Sequence, residues 1–199
     1  VGSSFNVSGA TMNFADDSVF NLTGNLNFSS GAINLTGTGT GATVAAGSTL
    51  TLNSKALGGS GKLTNLGTFN FNNSSIDGTL INQGTLNISS GNSAINGAAF
   101  DLSSGSVTIA GGASLTKNGG AFNWTGGALS GAGNFIPSGG AVVNVNGLGA
   151  LVLDGPNLNA NSFNIVGGGS LNLQSGSLGI AGGNLASGST LTLSGGTFT

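Results

Sequence analysis

The chain is 199 residues long, 38% hydrophobic and only 4% charged, with three Lys+Arg against five Asp+Glu and a formal net charge of −2. That much apolar material is enough to offset the entropy of ordering a single domain, which excludes wholesale disorder. With three lysines (Lys55, Lys62 and Lys117), no arginine and no basic patch, the composition excludes a nucleic-acid partner; no window approaches the roughly eighteen apolar residues of a membrane helix, so no membrane span is expected in this segment.

In chain order, apolar–polar–apolar triplets recur between glycine- and serine-rich joints. Phe5-Asn6-Val7 returns as Leu26-Asn27-Phe28, and Met12-Asn13-Phe14 as Ile33-Asn34-Leu35, both after 21 residues. From Thr36 to Gly47 the register is lost in TGTGTGATVAAG, and a loop insertion is expected over residues 36–47. In the middle the period contracts, GTFNF at Gly67 recurring as GTLNI at Gly84, 17 residues on. Toward the C-terminus it settles at 20. Val143-Asn144-Val145 aligns with Phe163-Asn164-Ile165, and Leu151-Val152-Leu153 with Leu171-Asn172-Leu173 and then Leu191-Thr192-Leu193, while Leu158, Leu178 and Phe198 form a third track.

Self-similarity at a fixed period of this size is the signature of a solenoid. The two-residue alternation inside each triplet makes each one a short strand with one face inward, and Val, Ile, Thr and Phe suit such a surface. Helical spacing is absent, and the Gly-Gly, Ser-Gly and Asn-Gly pairs between triplets are corner signals. The expected fold is all-β: a right-handed parallel β-helix, or β-solenoid, of triangular section, with three short strands per coil. Residues 1–199 form a single domain of about ten coils of roughly 20 residues, a rod on the order of 45–50 Å long at the sheet spacing. A β-sandwich would not need three tracks in phase. Leu, Ile, Val and Phe should point inward, with Asn and Thr at the triplet centres pointing outward. Asn144 should stack on Asn164, and Asn172 on Thr192, as polar ladders. The pattern runs on at both ends of the sequence without a polar capping segment, which reads as a segment of a longer rod or as a subunit that stacks end to end into filaments.

At this point a family resemblance appears. GGAFNWTGGALSGAGNFIPSGGA (119–141) and GTFNFNNSSIDGTLINQGTLNISSG (67–91) resemble the repeats of secreted bacterial β-helix proteins, the filamentous-haemagglutinin-like exoproteins and autotransporter passenger domains. The resemblance covers nearly the whole chain but rests on repeat consensus, not on active-site signatures. It implies an extracellular or cell-surface rod used in adhesion, aggregation, biofilm or as a stalk.

Catalytic chemistry has little to work with. Without His, Cys or Glu, a Ser-His-Asp triad, a thiol nucleophile and a histidine–zinc site cannot be built. The carboxylates are Asp16, Asp17, Asp77, Asp101 and Asp154. Only Asp16 and Asp17 are neighbours, and adjacent strand residues point to opposite faces. Together with backbone carbonyls they would make a weak calcium site, and a solvated turn in FADDSVF is the preferred reading. GGGSL (167–171) lacks the lysine and helix of a phosphate loop and reads as a corner. Trp124 should point inward if Phe122 does, a core residue and not a sugar platform. The sequons at Asn6, Asn34, Asn87 and Asn123 follow from composition. No catalytic residue, cofactor or metal ligand is assigned and no binding residue is singled out. The expectation is a non-enzymatic structural or adhesive rod. The alternative is a module that binds glycans or another surface through outward Asn and Thr rows, ice being disfavoured because the centres mix Asn, Thr, Val and Gly. A polysaccharide-active enzyme is the remote third.

Overall fold

The computed structural model describes residues 4–7, 9–20, 25–28, 31–147 and 150–199, and among these there are strands, turns and bends but no helix. The strands form one sheet of 18 and one of nine, and every described pairing is parallel. They stand in three columns, so the chain is a parallel β-solenoid. The third face is the nine-stranded sheet, running from Val19–Phe20 to Gly183–Leu185. The first and second faces share the larger sheet because Ala150–Ala160 and Ser170–Ile180 each turn the corner between them without leaving the ladder.

The register matches the sequence period. On the first face Ser4, Asn25, Thr49, Thr68, Thr85, Ser106, Ala128, Val152, Asn172 and Thr192 stack in succession, in steps of 21, 24, 19, 17, 21, 22, 24, 20 and 20 residues. The described chain therefore makes nine coils and the first two faces of a tenth. The Phe5-Asn6-Val7 strand pairs with Leu26-Asn27-Phe28 as expected, the side chains of both lying outside the described residues. Within the 36–47 stretch, residues 36–41 form a long corner, while Ala42–Val44 is a strand of the third face.

Alternation sorts the side chains. In Thr68–Asn72, Phe69 and Phe71 are buried and Thr68, Asn70 and Asn72 are not. Stacked inward positions give one continuous apolar column from Ile33 to Leu178. Its widest section is aromatic: Phe122 stacks on Phe100 at 4.9 Å between ring centroids, meets Phe135 edge-on at 4.8 Å and leans on Trp124 at 5.9 Å. Such pairs add to simple burial. Trp124 is fully buried, as the alternation requires, and its Nε1 donates to the Gly127 carbonyl at 3.4 Å.

Corners need conformations that side chains rarely allow. At the corner between the first and second faces, Ser54 (φ 53°) and Asn73 (φ 47°) are left-handed and tied by a 3.1 Å bond from Asn73 Nδ2 to Ser54 Oγ, and glycines such as Gly131 (φ 99°) take that role in other coils. At the corner leading back to the first face, Gly67, Gly84, Gly105 and Gly127 stack so closely that a Cβ on Gly84 would overlap the Gly67 carbonyl oxygen.

Several inward positions among the described residues are polar, the small Ser93 and three larger side chains among them. Asn65 and Asn82 are fully buried on the third face, where Asn65 Nδ2 donates to Asn82 Oδ1 at 2.7 Å and to the Thr85 carbonyl at 3.0 Å. Asn82 Nδ2 in turn satisfies the carbonyls of Gly84 (3.2 Å) and Ser106 (3.0 Å), so the pair staples the corners on which it sits. Lys117 lies inward between Ile95 and Pro137 with no solvent exposure. Its ammonium donates to the carbonyls of Gly97 (2.7 Å) and Gly119 (2.6 Å) in the corners and of Asn118 (3.4 Å) at the end of its own strand.

Phe122→Ala should lower unfolding free energy by about 3–5 kcal/mol, since the cavity opens where four aromatic rings meet, measurable by urea denaturation. Burial pushes the Lys117 ammonium below its ordinary 10.5. Between that lowered value and 10.5 the unfolded chain holds a proton that the folded chain lacks. Stability therefore falls as pH drops from 10.5 through this window and is level below it. Urea midpoints against pH should show this slope in the native chain and a flat profile in Lys117→Met.

Candidate functional site

The structure places each of the five aspartates against the coil that follows it. Asp16 Oδ1 accepts the backbone N–H groups of Gly39 (3.0 Å) and Gly41 (2.8 Å), and Asp17 Oδ1 accepts the Thr40 hydroxyl at 2.8 Å. Lys62 Nζ closes the same corner on the Gly39 carbonyl at 2.6 Å. The Asp16-Asp17 turn thus holds down the long 36–41 corner, a more structured role than a solvated turn. Asp77 accepts from Asn96 Nδ2 (2.9 Å), Asp101 from Asn123 Nδ2 (2.7 Å) and Asp154 from Ser175 Oγ (2.5 Å). Asp77, Asp101 and Asp154 sit in different coils, each beginning its own ladder. Among the described residues no three His, Cys, Asp or Glu side chains gather where a metal ion could sit.

The expected ladders are present and more extensive than the triplets indicate. On the third face Asn164 Nδ2 donates to Asn144 Oδ1 (3.2 Å), Asn144 to Asn123 (3.1 Å) and Asn123 to Asp101. A second chain runs Ser138 to Asn118 to Asn96 to Asp77, and on the first face Asn87 donates to Asn70 and Asn70 to Thr51. Asn172 lies opposite Thr192 in backbone register, but its Oδ1 accepts from Ser194 Oγ at 2.8 Å. The rung at Asn172 is thus closed by the serine two residues beyond its register partner.

The rank from Asp101 to Asn144 is the floor of a groove of about 510 Å³. Its wall is the corner between the third and first faces, where Ser103, Thr125 and Asn146 project, and Ile81 and Val166 close the ends. Ser103 Oγ is shielded from solvent and has no hydrogen-bond partner among the described residues. No basic residue lines the groove. The triplet rule locates its floor, but the wall comes from corner residues that the alternation does not reach. A smaller apolar hollow of about 190 Å³ lies in the last coils between Ile165, Ile180, Leu185, Leu191 and Phe198.

Together, the in-register core, outward ladders and stacked corners define a parallel β-solenoid repeat protein. Comparison of the chain with family models, with curated proteins and with solved structures finds no match. Among the described residues no helix is long and apolar enough to cross a membrane.

Asn144→Ala removes two rungs at once and should cost about 1–3 kcal/mol, at roughly 0.5–1.5 kcal/mol per bond. Asn161→Ala, at an exposed position outside any described ladder, should change stability by about 0.5 kcal/mol or less. Thermal denaturation of the two variants checks the difference.

Proposed function

We propose that this chain is a non-enzymatic, extracellular structural and adhesive β-helical rod, of the kind that secreted bacterial β-helix proteins provide as adhesins, stalks or filaments. The carrying observation is that an unbroken apolar column is clad on its outer faces in hydrogen-bonded Asn, Ser and Thr side chains. That cladding satisfies its polar groups internally and leaves a long, weakly charged surface. Such a surface suits many weak contacts along its length better than one deep reaction centre. The aspartates support the same reading, because each carboxylate already accepts a hydrogen bond from the next coil. Parallel coils also permit head-to-tail association, in which the donor edge of one copy meets the acceptor edge of another.

Beads coated with the purified chain should attach to host-cell monolayers well above uncoated beads. The same protein, incubated with a panel of plant, bacterial and host polysaccharides, should release neither reducing ends nor unsaturated sugars. Background attachment would remove the adhesive reading, and released product would replace the rod by an enzyme.

A further inference from the structure

We propose that the groove on the third face is a binding site for a neutral, hydroxyl-rich glycan lying along the rod axis. Its floor is a directed amide chain. Asn123 and Asn144 each give one Nδ2 hydrogen to the preceding rung, which leaves the second N–H of each amide outside the ladder. These donors recur once per coil, about 4.8 Å apart. Thr125 and Asn146 add further donors and acceptors along the wall, which Ser103 also lines. A volume of about 510 Å³ lies in the range of ligand sites.

The same features select the ligand class. With no cation in the lining and one carboxylate at Asp101, an anionic glycan or a phosphate ester meets repulsion without compensation. An extended peptide would seek an open strand edge, whereas the floor strands Ala99–Leu102, Ala121–Trp124 and Val142–Val145 are each paired on both sides. A flat crystalline surface such as ice does not fit a concave one. A chain of neutral sugars offers hydroxyl pairs that both donate and accept, at intervals comparable with the rungs. This site goes beyond the rod reading, which stands or falls on attachment and turnover.

The test is titration of the whole chain with neutral hexasaccharides (gluco-, xylo- and manno-configured) and with an oligogalacturonate as the acidic probe. Calorimetry gives affinity, and nuclear magnetic resonance follows the side-chain amides. At least one neutral probe should bind saturably at millimolar concentration or below and shift the Asn123, Asn144 and Asn146 amides, while the acidic probe binds at least tenfold more weakly. Thr125→Trp, which fills the groove without touching the ladder, should weaken binding at least tenfold. Asn159→Trp, on the second face, should leave binding unchanged. The proposal is overturned if no neutral probe binds, if the acidic probe binds as tightly, or if the shifts map to other ladders. It is equally overturned if a Thr125→Trp protein with a native melting curve binds as the parent does.

Discussion

Every residue in a parallel coil lies about 4.8 Å from its counterpart in the next, so each side chain must tolerate a near-copy of itself on both sides. This constraint governs the composition. Two like charges at that spacing repel by about 1 kcal/mol even in water and more near a protein surface, and a column of them would repel along its length. An amide has the opposite property, since one Asn donates to the next and accepts from the one after. The outer ranks are accordingly amides and hydroxyls, and the chain carries 4% charged residues.

Direction follows from the same chemistry. On the outer faces the described amide bonds between coils run from the later coil to the earlier one, as in Asn164 to Asn144 to Asn123, Asn118 to Asn96 and Asn34 to Asn13. A chain of donors closes well on a group that only accepts, and Asp77 and Asp101 occupy two such ends, whereas the first-face chain ends on the Thr51 hydroxyl. The buried pair runs the other way, Asn65 donating to Asn82. There the amides serve corner carbonyls as well as each other. Asp77 and Asp101 are therefore ladder terminators, while Asp16 and Asp17 hold a corner, so these carboxylates are committed to the architecture itself.

Much of this was legible in the sequence, and the limits have a common cause. Tracks such as Leu151, Leu171 and Leu191 fixed coil, register and inward face together, because one side-chain period set all three. The same alternation carried through Lys62–Asn65 and Ser114–Asn118 points Asn65 and Lys117 inward, yet a polar residue at an apolar position reads from sequence as a break in the pattern. What holds them is a neighbouring amide and a strand-end carbonyl for Asn65 and mainly corner carbonyls for Lys117, partners at or beside corners, which have no period. The groove was half legible for that reason: Asp101, Asn123 and Asn144 belong to a strand rank, whereas Ser103, Thr125 and Asn146 belong to corners.

The corners also absorb the coil lengths, which run from 17 to 24 residues while the ranks on the faces stay in step. Lengthening at 36–41 is accommodated by one aspartate turn and one lysine, with no displacement of the strands on either side. Evolutionary drift in such a chain is thus partitioned. Insertions and deletions can accumulate at the three vertices and alter what the rod displays, while point substitutions on the faces are held to whatever the adjacent rungs accept. A lineage built on this plan can diversify its outline by length change and keep its skeleton by stacking.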